Sequence, residues 1–405
     1  MRVLLLTAGS RGDVVPFLAL ARRARAEGHE VRLAVTREFV AEARAGGVEV
    51  AVLDGDFAEL VRRQGVSPWA ALRSYRSTVA PMLAAVLSSA VDAALDFRPD
   101  VLVHHPKVLS APLAAAHLGV PHVLVEIVPT LTPTREFPAA GLGGRDLGPL
   151  NPLTHRVVGA ASSVAAGALR DVRARLGLPA RGPLPPPVTT LVPVSPVLLP
   201  QPQDWPATTV VTGAWHEPAP AGATRADAEL DDFLARGDVV CAGFGSMAAG
   251  DAEHRAQVVL DAVRAAGRRA LLVTGWGGLR LPPGRTGEDV LVRAEVVHEA
   301  VLPRCVAAVH HAGAGTAHAA VRAGVASVPV PFLADQPFWA ARLHRQGLAA
   351  RPVPARRLTA ERLGRALAAG AEPERLAAAA RAMAAEDGCG SALELITRSG
   401  TARRA

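Results

Sequence analysis

Cys305-Val306-Ala307-Ala308-Val309-His310-His311-Ala312-Gly313-Ala314-Gly315-Thr316 decides how this chain is read. An apolar strand, residues 305–309, ends in two imidazoles and a glycine-rich turn that opens a helix. Gly313 and Gly315 let the backbone approach a ligand and take dihedrals closed to other residues, and Thr316 can cap the new helix with its hydroxyl. The helix N-terminus offers N–H groups and partial positive charge to a phosphate, to which His311 adds a donor or a proton. Neighbouring strand side chains point to opposite faces, so His310 and His311 do not form a joint metal site. The same residues also describe a glycine turn beside a satisfied core histidine.

Working outward, a second apolar strand at 327–331 gives way to Phe332-Leu333-Ala334-Asp335-Gln336-Pro337, followed by another helical pattern. Asp335 accepts hydrogen bonds and Gln336 both donates and accepts, so the pair suits neighbouring hydroxyls of a sugar. The competing reading is an N-cap pair ahead of Pro337, a good first helical residue. Both segments fall at the carboxyl ends of successive strands in a strand–helix–strand unit, where ligands of doubly wound sheets gather.

Short apolar runs alternate with longer amphipathic ones through the rest of the chain, which implies parallel sheets. In the first half strands are expected at 3–6, 30–35, 48–52, 101–104 and 122–126. A fresh series begins at 239 and runs through 271–274, 290–292, 306–310 and 327–330. The pattern dissolves between 130 and 153, long for a connection and expected as an apolar lid carrying Phe137, Leu142 and Leu147. Proline crowds 179–203. The fold expected is therefore α/β, with two doubly wound, Rossmann-like domains facing each other across a cleft. We place the N-terminal domain at 1–207, the linker region at 208–224 and the C-terminal domain at 225–385. The tail, 386–405, is expected as a helix returning to the N-terminal domain.

At 405 residues the chain exceeds one ordinary core. A net charge of +7 raises the question of nucleic acid. The arginines are scattered along helical patterns without basic blocks or interleaved aromatics, so no nucleic-acid partner is expected and the charge reads as a solvated surface. Cys241, Cys305 and Cys389 are an odd number at unrelated spacings, consistent with reduced thiols in a cytoplasmic protein. The apolar run at residues 1–8 is too short for a signal peptide. Other apolar runs contain proline, glycine or charge, so no integral membrane segment is expected.

Three alternatives weaken on inspection. Asp54-Gly55-Asp56 has the DxD form that holds a divalent metal in some sugar transferases, but it follows the third strand of the first half and reads as a turn. Neither Gly9-Ser10-Arg11-Gly12 nor Gly313-Ala314-Gly315-Thr316 completes G-x-G-x-x-G, and no acid closes the second strand at Val35-Thr36, against a dinucleotide site. Trp276, within Gly275-Trp276-Gly277-Gly278, can stack on a ligand but reads more simply as packing.

Four segments in order carry a family resemblance: Gly9-Ser10-Arg11-Gly12-Asp13 with Pro16, Gly243-Phe244-Gly245-Ser246-Met247, the His310–Thr316 segment, and Asp335-Gln336. Residues 1 to about 385 resemble a family 1 glycosyltransferase of the GT-B fold, in the bacterial natural-product (glycopeptide and macrolide type) and sterol glucosyltransferase branch. The resemblance implies an acceptor in the N-terminal domain and a nucleotide sugar, UDP- or dTDP-linked, in the C-terminal one. Asp13 matches a general base, and Ser10 and Gly12 match loop positions near the donor. Ser246, His311 and Thr316 match residues that approach the diphosphate, with Gly313 and Gly315 making room. Asp335 and Gln336 match the pair on the sugar, and Val297 and His298 a segment along the nucleoside. Phe137 and Asn151 fall in a region similar to the acceptor-side loop. Ala312 departs from the pattern, standing where many relatives have a third glycine.

The resemblance implies an inverting O-glycosyltransferase of antibiotic or other natural-product biosynthesis, moving a hexose to a hydroxyl of a hydrophobic aglycone. No cofactor and no metal are expected. Asp13 would take the acceptor proton as the anomeric carbon is attacked, while the helix end at Thr316 with His311 and Ser246 steadies the departing diphosphate. Two other readings stay open: a nucleotide-sugar epimerase of the same fold, marked by donor turnover without acceptor, and a non-catalytic partner of a transferase.

Overall fold

A computed structural model describes residues 1–55, 75–142, 146–218, 223–225, 227–245, 247, 250–275 and 277–401. The chain divides into two compact units. The first comprises Met1–Ala139, Asp146–His216 and Asp387–Ala405, and the second Ala140–Arg145 with Glu217–Glu386.

Unit 1 is built on a seven-stranded, wholly parallel sheet. Its strands are β1 (Arg2–Leu6), β2 (Glu30–Thr36), β3 (Glu49–Leu53), β4 (Val101–His104), β5 (His122–Val125), β6 (Thr189–Val192) and β7 (Thr209–Val211). They lie in the order β3-β2-β1-β4-β5-β6-β7. Strands of such a sheet are covered on both faces and become nearly continuous apolar runs. Leu4, Leu5, Leu6, Leu33 and Leu102 are fully buried accordingly. The strand order reverses between β1 and β4, which pair directly from Val3↔Val101 to Leu6↔His104. That reversal is the switch point where ligands of such sheets bind.

Two strands escaped the sequence reading. Thr189–Val192 lies inside the proline-dense stretch, and Thr209–Val211 lies where a linker was expected. The prolines flank β6 instead of interrupting it. On β7, the sheet's last strand, the Gln201 side chain donates to the Thr209 carbonyl at 2.7 Å and accepts from the Val211 N–H at 2.8 Å. That covers a row of groups an edge strand would otherwise leave open.

Helix α1 (Arg11–Ala26) follows β1, and helix α2 (Val40–Ala45) precedes β3. Helix α3 (Ala80–Phe97) ends a stretch, Ser77–Phe97, that is long and apolar enough to cross a membrane on length and composition alone. No integral membrane segment is expected from the sequence, where the apolar runs contain proline, glycine or charge, here Pro81 and Asp92. Leu87, Val91, Ala94 and Phe97 on this helix are buried in the core of unit 1 with Leu4 and Leu102.

The C-terminal helix, Gly388–Thr401, packs in unit 1 through Leu393 and Ile396, both buried. Arg23 of α1 holds Asp387, just ahead of it, by a two-pronged ion pair at 2.9 and 3.1 Å. A Cβ at Gly388 would meet the Ala214 carbonyl oxygen at 2.5 Å, so only glycine fits there.

Unit 2 repeats the plan with five parallel strands: β8 (Val239–Gly243), β9 (Arg269–Val273), β10 (Val290–Arg293), β11 (Ala307–His310) and β12 (Ala326–Pro329). The order is β10-β9-β8-β11-β12, so the switch point lies between β8 and β11. There Gly243 is the register partner of His310.

Candidate active site

At the switch point of unit 1, Asp13 stands in the first turn of α1 and not on a loop, because Ser10 is the helix N-cap. One carboxylate oxygen, Oδ2, accepts from the Ser10 N–H at 2.7 Å, the Ser10 hydroxyl at 3.0 Å and Lys107 Nζ at 2.7 Å. The other, Oδ1, lies 3.2 Å from His105 Nε2. His105 and Lys107 follow the end of β4, so a helix after one switch-point strand meets a loop after the other. A Cβ at Gly9, whose φ is +136°, would fall 2.2 Å from Asp13 Oδ2 and 2.6 Å from Lys107 Nζ. The glycine is required by the ion pair beside it.

Burial raises the Asp13 carboxyl, yet Lys107 and the hydrogen bond and charge of His105 outweigh it and hold the group far below the usual carboxylate range. Its place at a helix N-terminus works in the same direction. Burial pushes His105 down, against the pull of Asp13. His105 Nδ1 accepts the Lys107 N–H at 3.1 Å. In the neutral ring the proton therefore sits on Nε2 and points at Asp13. Asp13 is a fixed anion, and His105 is its donor.

At the switch point of unit 2, the His311 ring lies between two glycines. A Cβ at Gly245 would come within 3.3 Å of the ring, and one at Gly313 within 2.5 Å of Nε2. Burial, with a further push from the charge of His298, lowers His311 to about 4. His310, on the opposite side of the chain, is lowered by burial to about 3, and its Nδ1 accepts the Ala312 N–H at 3.1 Å. Ala312 takes φ +63°, the left-handed region that glycine occupies without cost. The departure from the family pattern thus keeps glycine's conformation on an alanine.

Helix α10 (Ala314–Arg322; helices α4 to α9 are Ala111–Leu118, Asn151–Ala160, Ala166–Arg175, Ala228–Ala235, Ala252–Ala265 and His298–Val301) starts two residues before Thr316. Its N-cap is Gly313, without a side-chain cap, so Thr316 stands in the first turn and is not the cap expected from sequence. The first backbone bond within this turn is donated by Ala317 to Gly313. The N–H groups of residues 314–316 precede it and face the helix end, as an anion seat needs. Gly315 has nothing within 4 Å of where a Cβ would be, and is open to an approaching ligand.

Asp335 and Gln336 divide. Asp335 is the N-cap residue of α11 (Gln336–Arg345), but its side chain makes no cap hydrogen bond. Gln336 is buried, its amide oxygen accepting from the N–H groups of Phe332 (2.8 Å) and Leu333 (3.2 Å) and its amide nitrogen 3.3 Å from Met247 Sδ. The glutamine braces the loop that presents the aspartate. Ala334, just before it, also takes a left-handed φ of +57°.

Gly12 lies in the first turn of α1 beside Ser10, and Val297 is exposed at the N-cap of α9, which His298 opens. Ser246, Asp56 and Trp276 lie outside the described residues. Phe137 is enclosed within unit 1. Expected on an acceptor wall, it is 2% exposed, edge-on to Trp205 with ring centres 6.1 Å apart. The reason is polar. Glu126, buried at the end of β5, accepts from the N–H groups of residues 130, 131 and 132 and from the Thr132 hydroxyl. Asp204 accepts from the Thr134 hydroxyl at 2.6 Å and the Arg135 N–H at 2.8 Å. Residues 130–139 are tied down, while Leu142 and Leu147 are exposed.

The residues that sequence reasoning missed are His105, Lys107 and Glu126. A signal for the first was present: His104-His105 closes the strand beside β1 as His310-His311 closes the strand beside β8.

Residues 3–126 match the glycosyltransferase family 28 N-terminal domain, and residues 286–392 the C-terminal domain of proteins like erythromycin biosynthesis protein CIII. O-mycaminosyltylonolide 6-deoxyallosyltransferase of Streptomyces fradiae is 36% identical over 421 residues, covering 98% of this chain and 97% of its own. Sterol 3-beta-glucosyltransferase UGT80B1 of Arabidopsis thaliana is 29% identical, covering 98% of this chain and 68% of its own. The crystal structure of CalG4, the calicheamicin glycosyltransferase, aligns with a TM-score of 0.71 at 18% identity over 98% of each chain. With its length matched from end to end and two parallel sheets wound alike, this chain belongs to the family 1 glycosyltransferases of the GT-B fold.

Proposed function

We propose that the enzyme is an inverting, metal-independent O-glycosyltransferase that moves a hexose from a nucleoside diphosphate to a hydroxyl of a hydrophobic natural product. The observation that carries this reading is the anchored carboxylate of Asp13 at the switch point of unit 1. Oδ1, with one contact to His105 against three donors on Oδ2, is the oxygen with room for an acceptor hydroxyl. The hydroxyl proton passes to Asp13 as its oxygen bonds to the anomeric carbon. The bond from that carbon to the phosphate oxygen breaks, and its electron pair leaves with the diphosphate. A strongly acidic carboxyl is a weak base, so it contributes by geometry and takes the proton late. The negative charge gained by the leaving group is met in unit 2 by His311 and the first turn of α10. Phosphate charge handled this way calls for no divalent ion.

The test is incubation of the purified protein with UDP- and dTDP-hexoses and a panel of aglycones. An α-linked donor must give a β-linked product, read by the anomeric coupling in NMR. Retention at that carbon, or donor consumed equally without any aglycone, would overturn the reading.

A further inference from the structure

Arg255, on α8, is a cation 92% withdrawn from solvent, its relative exposure being 8%. Its Nε donates to the Gly278 carbonyl at 3.0 Å, and its Nη2 donates to the Met247 carbonyl at 3.2 Å. The guanidinium carbon lies 5.6 Å from the centre of the Phe332 ring, which is itself 5.3 Å from Phe244. Those partners come from the loops after β9, β8 and β12, all at the ligand-binding edge of one sheet. Burial lowers the guanidinium from its ordinary value, against the charge of Asp251. A buried charge held by carbonyl oxygens is costly and persists where geometry rewards it.

The loops it joins are closely fitted. Gly275 and Gly278 lie against Gly245: a Cβ on either would meet the Gly245 carbonyl oxygen at 2.5 and 3.2 Å. Gln336 reaches Met247 from the loop that presents Asp335. Gly245 in turn borders the His311 ring. A shift at Met247 or Gly278 is therefore transmitted to His311 on one side and to Gln336 on the other.

We propose that Arg255 is the positioning residue of the donor site, locking the three loops so that His311 and Asp335 meet the diphosphate and the sugar in one fixed arrangement. It does not touch the nucleotide. A planar fork is needed, since two carbonyls and a ring face are engaged together and a lysine can satisfy only part of that set.

This inference rests on unit 2 taking the nucleotide sugar, and the experiment separates the two. Binding of dTDP and of UDP is measured by calorimetry on the full chain, for wild type, Arg255→Lys and Phe332→Leu, alongside steady-state constants for donor and acceptor. Arg255→Lys keeps the charge and should weaken diphosphate affinity about tenfold or more, with donor KM rising and acceptor KM unchanged. Phe332→Leu, which keeps the cation and removes the ring, should move the same constants in the same direction by less. Unchanged diphosphate affinity in either folded variant would overturn the role of Arg255 alone. Equal rises in both KM values would also overturn it, because they describe general loosening. Wild-type protein that binds neither diphosphate would overturn the donor-site reading itself.

Discussion

Lys107 Nζ donates to Asp13 Oδ2 at 2.7 Å, joining the helix after β1 to the loop after β4. Lys107 is half exposed while Asp13 is largely enclosed. The lysine can therefore be removed without opening a core. Taking away its charge raises the Asp13 carboxyl toward the ordinary range, so the base is protonated at higher pH and activity is lost earlier as pH falls. Lys107→Met should move the acidic limb of the kcat/KM profile upward by about one unit or more, and Lys107→Arg should not. Superimposable profiles for the three proteins would remove Lys107 as the source of the depressed carboxyl.

Asp13→Asn preserves the shape of the site and removes the proton acceptor. Turnover should fall by about two to four orders of magnitude, with little change in diphosphate affinity. Single-turnover kinetics with saturating donor checks this, and near-normal rates would take Asp13 out of the mechanism.

His311→Ala should weaken binding of the free diphosphate by about 1–3 kcal/mol, the scale of a charge-assisted hydrogen bond. The free ring, lowered to about 4, is neutral at pH 7. An anion beside it raises that value, so binding takes up a proton and tightens as pH falls toward 5. Calorimetry at pH 5.5 in buffers of different ionisation enthalpy reads the proton directly. Uptake that persists in His311→Ala would assign it to another group.

Activity should survive excess EDTA, because a helix end and a histidine already offset the phosphate charge. Complete loss with rescue by Mg²⁺ or Mn²⁺ would reopen the acidic pair at Asp54 and Asp56.

His104 and His310 are buried, and burial lowers each to about 3 from an unfolded value of 6.5. Between those values the unfolded chain binds protons that the folded chain refuses. Their contribution is intact above the unfolded pKa and falls away with acid, at about 1.4 kcal/mol per pH unit for each ring. Urea midpoints from pH 8 to pH 4 should decline from about pH 6.5 downward. His310→Gln should flatten that decline, and a parallel curve would show that other groups govern it.

Unit 2 was readable because its strands are uninterrupted apolar runs and its glycines stand where the backbone turns at a ligand. Gly313 and Gly245 proved to flank the His311 ring, a relation between distant positions that no local pattern encodes. Thr189–Val192 was hidden by neighbouring prolines, which flank an interior strand as readily as they fill a loop. Gln336 braces its own loop, a use of a side-chain amide that the sequence pattern does not separate from a contact to a sugar. Lys107 belongs to no motif, and its meaning arises from the pairing of β1 with β4.

Glu126 and Asp204 hold residues 130–135 from outside that segment, one ahead of it and the other about seventy residues beyond. For recombination among relatives this fixes where crossovers belong. A graft spanning only 130–153 separates the loop from both carboxylates and leaves Glu126 buried among whatever donors the incoming sequence brings. Begun upstream of Glu126 and paired with the native neighbourhood of Asp204, the exchange carries the loop and its two anchors as one inheritable cassette.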